Sequence, residues 1–349
     1  AADDFASQEM KERCLSVVRA LESYLPADYP KAASLLERGL GPIDQTERKE
    51  PSNPRPGDSG APVISGWMLW SLQEYVGRNG LGHPGISLHL LLEITQRFTA
   101  EFGIRYFIEA QPLETLRTMQ AWVKHPSEHV RRLVSEGTRT RLPWGRRLRA
   151  FIDDPSPIIP LLECLKDDPS EYVRRSVANN LNDISKDHPS VTCRVAGSWL
   201  VEADSNRRRL VKHALRSLVK AADPKALDLL GFHAPEIEIR QFSVSPSKAR
   251  VGEALAIACS LRSRSEEPQS IVLDYVVHHV KANGALRPKV FKWKTFTLAA
   301  MDCIQLKRHH SLAAVTTRRY YRGEHAIELQ VNGVSFGALP FLLETGSGV

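Results

Sequence analysis

HPSEHVRRLVSEGTR (residues 125–139) and DPSEYVRRSVANNLN (168–182) are two versions of one pattern, offset by 43 residues. A looser third version, ADSNRRRLVKHALRSL (203–218), follows about 34 residues later. Each opens on a turn-forming step, which in the first two copies is His or Asp followed by Pro-Ser-Glu, a helix N-cap and first-turn signal. An apolar stripe at helical spacing follows. Two helices in about 40 residues is the period of HEAT and armadillo repeats. A single such repeat cannot bury its apolar face, so the pattern predicts neighbours stacked into a curved helical solenoid.

The helical reading extends toward the N-terminus. Residues 7–24 carry Met10, Cys14, Val17, Val18 and Leu21 at helical spacing, and further helices are expected at 64–78 and, as one long element, 84–109. Between them, GPIDQTERKEPSNPRPGDSGAP (41–62) holds five prolines and no apolar face, which predicts a flexible loop. Beyond Gly231 the period changes to two. EIEIRQFSVSP, VGEALAIACSL, IVLDYVVHHV, VFKWKTFTL, HAIELQVNGVSF and PFLLE alternate apolar and polar residues, and Val331-Asn332-Gly333 is a hairpin signal. Six or seven short strands in this span predict an immunoglobulin-like β-sandwich with Trp293 as candidate core tryptophan. Cys303 precedes the penultimate strand, so an inter-sheet disulfide to Cys259 is not expected. The fold class is therefore multi-domain, α then β: a HEAT-like solenoid over 1–232 and a sandwich over 233–349.

A length of 349 residues suits two domains. The formal net charge of +7 favours an acidic partner, of which nucleic acid is the commonest. Cys14, Cys164, Cys193, Cys259 and Cys303 form no CxxC pair, so zinc and redox motifs are not expected. No apolar run approaches the ~18 residues of a membrane span, and the polar start is unlike a signal peptide. The expectation is a soluble, cytoplasmic, monomeric protein without metal or organic cofactor.

The chemistry is sought on the repeat helices. Arg132, Glu136 and Arg139 fall at i, i+4 and i+7, and the aligned positions are Arg175, Asn179 and Asn182, with Asp183 next. Stacked repeats predict a polar seam of Arg132, Glu136, Arg175, Asn179 and Asp183. Glu101 and Arg105 pair at i, i+4 among Phe98, Phe102 and Phe107, so Glu101 is partly sheltered. Such pairs also serve as plain inter-repeat ladders, and that structural reading stays open beside the functional one. Seven arginines crowd residues 131–149 with Glu136 the one acid among them. Arginine grips phosphate bidentately, and Trp144 within the cluster suits stacking on a base or an anchoring role between repeats. RRYYR (318–322) and KRHH (307–310) form a second basic-aromatic set on the loops or edges of the sandwich.

TAEFGIRYFI (99–108), SEGTRTRLPWGRRL (135–148) and VRRSVANNLNDISKDHP (173–189) resemble the AlkC branch of the HEAT-like alkylpurine DNA glycosylases. The resemblance is good over roughly 85–230, and some members carry a C-terminal immunoglobulin-like domain. Tyr106 departs from the pattern, where proline is expected. The resemblance implies excision of 3-methyladenine, 3-methylcytosine and 1-methyladenine from double-stranded DNA without base flipping. It implies Glu101, Glu136 and Asp183 as catalytic carboxylates and Trp144 against the lesion. The candidate DNA contacts are Arg132, Arg139, Arg141, Arg146, Arg147, Arg175, Asn179, Asn182, Lys186 and Arg319. A cationic base leaves neutral, so the burden falls on stabilising an oxocarbenium ion and positioning water, work suited to carboxylates. No lysine stands out as a Schiff-base nucleophile, so no lyase step is expected. The alternative is a non-catalytic HEAT-repeat scaffold that binds DNA or protein.

Overall fold

The computed structural model describes residues 5–43, 63–316 and 318–345. Most of the expected loop at 41–62, namely residues 44–62, lies outside them. The chain forms two compact units: Ala1–Thr192 with Ser198–Ala214, and Cys193–Gly197 with Leu215–Val349.

The first unit is helical: α1 (Met10–Tyr24), α2 (Tyr29–Arg38), α3 (Met68–Asn79), α4 (Pro84–Thr95), α5 (Ile104–Ala110), α6 (Pro112–Trp122), α7 (Glu128–Gly137), α8 (Arg149–Asp153), α9 (Ile159–Leu165), α10 (Glu171–Ile184), both ends of α11 (Pro189–Leu200) and α12 (Ser205–Ala214). Prolines set the first turns of α2, α4, α6, α9 and α11, where their missing N–H costs nothing. α7 packs on α10 and α10 on α12, the helices matched by the three sequence copies. Val130, Leu133 and Val134 of α7 and Val173, Val177 and Leu181 of α10 are almost wholly buried. No helix among the described residues is long and apolar enough to cross a membrane.

The repeated turn is held by a side chain other than the expected one. Ser127 and Ser170 sit at the N-caps, yet neither hydroxyl caps its helix. Instead the Ser127 N–H donates to His125 Nδ1 at 3.1 Å and the Ser170 N–H to Asp168 Oδ1 at 2.9 Å. The first arginine of each Val-Arg-Arg step then reaches back: Arg131 to the His125 and Pro126 carbonyls, Arg174 to those of Asp168 and Pro169. Arg131 also grips Asp168 of the next copy through both carboxylate oxygens, at 2.6 and 3.0 Å.

The expected long helix at 84–109 is two helices, α4 and α5, separated by a turn over 96–103. Buried Gln73 of α3 makes that turn: its carbonyl oxygen accepts from the Phe102 and Gly103 N–H groups, and its amide donates to the Thr99 carbonyl at 2.7 Å. Gly103 permits the close packing of this turn on α3, because a Cβ there would lie 2.6 Å from the Gln73 backbone carbonyl oxygen.

The second unit carries α13 (Arg216–Lys220), α14 (Pro224–Leu229) and eight strands: β1 (Ile237–Ser245), β2 (Lys248–Arg250), β3 (Ala254–Ser263), β4 (Gln269–Val280), β5 (Leu286–Leu298), β6 (Cys303–Ser311), β7 (Gly323–Val331) and β8 (Val334–Glu344). They form a three-stranded sheet, β1-β3-β6, and a five-stranded sheet, β2-β8-β7-β4-β5. Asn332 and Gly333, with φ of 45° and 79°, close the β7–β8 hairpin as the Asn-Gly pair requires. Tyr275 of β4 and Phe341 of β8 are the buried aromatic residues, and Trp293 packs half-buried against both core clusters. Cys259 and Cys303 are free and share one sheet, on the paired strands β3 and β6.

Three histidines lie inside this sandwich: His279, His310 and His325, each at most 6% exposed. Among the described residues neither ring nitrogen of His279 has a hydrogen-bond partner. Burial, then the nearby Arg318, pushes His279 from 6.5 to about 3 and His310 to about 4; burial also lowers His325. The unfolded chain binds these protons first, so stability falls as pH drops below 6.5. Asp274 opposes this, since burial raises it from 3.8 to about 6 and the folded state then gains its proton first. Three groups outweigh one. Hydrogen exchange of β4 and β7, corrected for intrinsic rates, should show their opening free energy falling from pH 6.5 to 4.5. His279→Leu should reduce that slope by up to ~1.4 kcal/mol per pH unit; an unaltered slope would contradict the account.

Candidate active site on the repeat helices

Three local structures converge on one line of charge. α7 presents Arg132 and Glu136 one turn apart, with Arg139 just past its end. α10 presents Ser176 and Asp183. The Gln73-held turn presents Thr99 and Glu101. Arg132 Nη1 donates to Glu101 at 2.6 Å and to the Thr99 hydroxyl at 2.9 Å, while its Nη2 lies 3.5 Å from Glu136. Arg139 follows, donating to Glu136 at 2.7 Å and to Asp183 at 2.8 Å. Lys186 closes the row on Asp183 at 2.7 Å, and the Ser176 hydroxyl donates to Glu136 at 2.6 Å. The sequence is acid, base, acid, base, acid, base.

The row is mostly shielded from water. Glu101, Glu136 and Asp183 are 8%, 5% and 1% exposed. Burial by itself would raise the Glu136 carboxyl, but the guanidinium groups of Arg132 and Arg139 and the Ser176 hydroxyl hold it below its ordinary value. Burial likewise opposes the charge on Arg132 and Arg139, and their carboxylate partners prevail. All three candidate carboxylates therefore share one ion-paired row. Among the described residues no group of three or more His, Cys, Asp or Glu side chains is arranged for a metal ion.

The expected seam needs correction at Arg175 and Asn179. Asn179 turns to the following repeat, pairing with His213 of α12 at 3.0 Å, while Arg175 pairs with Glu171 of its own helix at 3.0 Å. Arg175 lines a cavity of about 250 Å³ with Arg174, Arg209 and His213. Asn182 is 3% exposed, as buried as the carboxylates of the row. Arg139 is committed to two carboxylates. Arg105 does not pair with Glu101; its guanidinium bonds backbone carbonyls.

The remaining candidates are surface groups. Trp144 is 77% exposed and stacks on Trp70 at 6.5 Å and 13°. Trp70 in turn meets Trp67 and Phe102. Trp67 and Trp70, in GWMLW, were a visible aromatic signal whose partner in sequence lies far away. Arg141 pairs with Asp187 through two bonds, Arg146 with Glu109 at 2.8 Å, and Arg147 is exposed. Arg319 lies on the sandwich, where it lines a cavity with Lys281, Arg287, Lys289 and Arg318.

A family model described as "Uncharacterised protein YhaZ, C-terminal Ig-like domain" matches residues 238–345, the strands β1 to β8. The protein YhaZ of Bacillus subtilis (strain 168) is 34% identical over 340 residues, covering 97% of this chain and 88% of its own. The alkylpurine DNA glycosylase AlkC of Pseudomonas fluorescens, solved bound to DNA containing an abasic site analog, is 35% identical. It covers 97% of this chain and 89% of its own, with a TM-score of 0.85. The chain belongs to the AlkC family. In this AlkC-family chain the unexpected Tyr106 is housed by Gly77, where a Cβ would fall 2.3 Å from its ring. Its hydroxyl donates to Glu74 at 2.6 Å, and Arg146 stacks over the ring at 4.5 Å.

The row makes a stability prediction. Arg139→Met leaves Glu136 and Asp183 buried without their shared cation. Thermal and urea unfolding should register a loss of about 3 kcal/mol. A variant as stable as the parent would mean that water or neighbouring side chains already screen these acids.

Proposed function

We propose that this AlkC-family chain is a monofunctional DNA glycosylase acting on cationic alkylated bases in double-stranded DNA: 3-methyladenine, 3-methylcytosine and 1-methyladenine. The observation that carries the reading is the gathering of Glu101, Glu136 and Asp183 into one sheltered row, in a chain so like an AlkC bound to abasic-analog DNA. A base methylated at a ring nitrogen departs neutral. The barrier then lies in the positive charge that grows on the sugar, and a nearby carboxylate lowers it. One charge pair at 4 Å and an effective dielectric of 20 is worth roughly 4 kcal/mol, about a thousandfold in rate.

The cations of the row set its use. With every acid paired, the site carries little spare negative charge. Lys186 and Arg132 are its more exposed cations, with side chains 44% and 16% exposed. DNA phosphates compete for such groups. Each cation drawn to phosphate leaves a carboxylate facing the deoxyribose with less compensation. Arg141, Arg146, Arg147 and Arg175 add backbone grip, Arg319 does so on the sandwich, and Trp144 meets the lesion while the base stays unflipped. One carboxylate orients the attacking water, so no lysine adduct or lyase step enters.

The full pairing of the acids also favours a second reading, a scaffold in which they only tie repeats together. Single-turnover release of 3-methyladenine separates the two. Glu136→Gln and Asp183→Asn should each slow release by about a thousandfold while affinity for abasic-analog DNA shifts only a few-fold. Full activity in both variants, once melting has shown them folded, would leave the scaffold.

A further inference from the structure

The loop after α7 is built around a strained residue. Trp144 has φ +61°, a left-handed backbone that a bulky side chain rarely adopts. Such a conformation persists where its surroundings over-determine it, and it collects at working sites. Gly145 follows, and its N–H donates to the Leu142 carbonyl at 3.2 Å. The Leu148 N–H donates to the Thr140 carbonyl at 3.3 Å. Two backbone bonds on a loop with an exposed tip are a modest restraint.

The stronger restraint comes from beneath. Arg105 of α5 is 0% exposed and has no carboxylate at salt-bridge distance among the described residues. Its Nη1 donates to the Gly137 carbonyl at 2.8 Å and to that of Arg139 at 2.7 Å. These lie at the C-terminal end of α7, where carbonyls lack helical partners and a cation is favoured. Its Nε donates to the Arg146 carbonyl at 2.7 Å, and Nη2 donates to the same oxygen. One rigid planar group thus spans both ends of the loop, 137–139 on one side and 146 on the other. Lysine, a point charge on a flexible stem, offers no such fork.

We propose that Arg105 is a positioning residue: its guanidinium fixes the loop that carries Trp144, and so sets the left-handed backbone of Trp144 and its stack on Trp70. The functional part rests on Trp144 meeting the lesion, as read under Proposed function; the geometric part does not. Burial lowers Arg105 to about 10, so it keeps its charge at neutral pH.

The test is a double-mutant cycle in the full chain with two readouts. The first is the near-ultraviolet circular dichroism of the Trp70–Trp144 pair, defined as the signal lost in Trp144→Ala. The second is single-turnover release of 3-methyladenine at saturating enzyme. Arg105→Lys should lose most of that dichroism and slow release by about tenfold or more, with affinity for abasic-analog DNA within about threefold of the parent. Combining it with Trp144→Ala should give the rate of Trp144→Ala alone within about twofold, because both act through one side chain. An unchanged dichroism in Arg105→Lys, or rates that multiply in the double variant, would overturn the proposal. A normal rate in Trp144→Ala would sink the lesion-contact reading, while the dichroism still decides the positioning. Should Arg105→Lys not fold, Arg105→Gln takes its place. If neither folds, Arg105 supports the whole helical unit and the specific claim fails.

Discussion

A carboxylate that is nearly dry needs a cation against it, because taking an unpaired charge out of water costs several kcal/mol. Three such acids near one another need cations between them as well. Glu101, Arg132, Glu136, Arg139, Asp183 and Lys186 meet both demands by alternating sign along a single row. The row draws on α7, α10 and the turn before α5, so it fixes those three structures with respect to one another. It also keeps negative charge inside the protein, which in the proposed reaction a rearrangement of its cations releases. The same pairing serves stability in the free chain and chemistry in the proposed reaction.

The tandem arginines of each repeat divide their labour. The first, Arg131 or Arg174, is spent on carbonyls of its own turn, and in Arg131 also on Asp168 of the next copy. The second, Arg132 or Arg175, is left for the side of the helix that carries polar groups. Removing either is not equivalent, although the two are adjacent and chemically identical. Arg105 adds a third employment for the same side chain, bonding main chain alone. Charge counts along the sequence cannot distinguish these uses, since each depends on what lies across a helix interface.

The repeat architecture was legible because an apolar stripe with a fixed offset has few ways to be buried, and the change from period 3.6 to period two marked where strands begin. The membership of the acidic row was legible through the AlkC resemblance and the helical spacing of Arg132 and Glu136. Two errors share one cause. Aligned residues of successive repeats recur a helix spacing apart, so Arg175 and Asn179 address α12 rather than Glu136. The turn at 96–103 was hidden because Gln73, almost thirty residues earlier, supplies its hydrogen bonds. The i, i+4 spacing of Glu101 and Arg105 does not bring them together, because residues 101–103 are a turn and the helical rule does not apply there.

The strand holding Lys307-Arg308-His309 bears on how this protein behaves in company. Among the described residues β6 borders its sheet and pairs with β3 alone, so one margin of its backbone has no strand partner. An open margin of that kind invites another polypeptide to join the ladder, which is how fibrils and precipitates begin. Cationic side chains along it repel a like strand at close range. Residues that look like a nucleic-acid motif thereby also act as a guard for solubility, and neutralising them for any purpose would remove that protection.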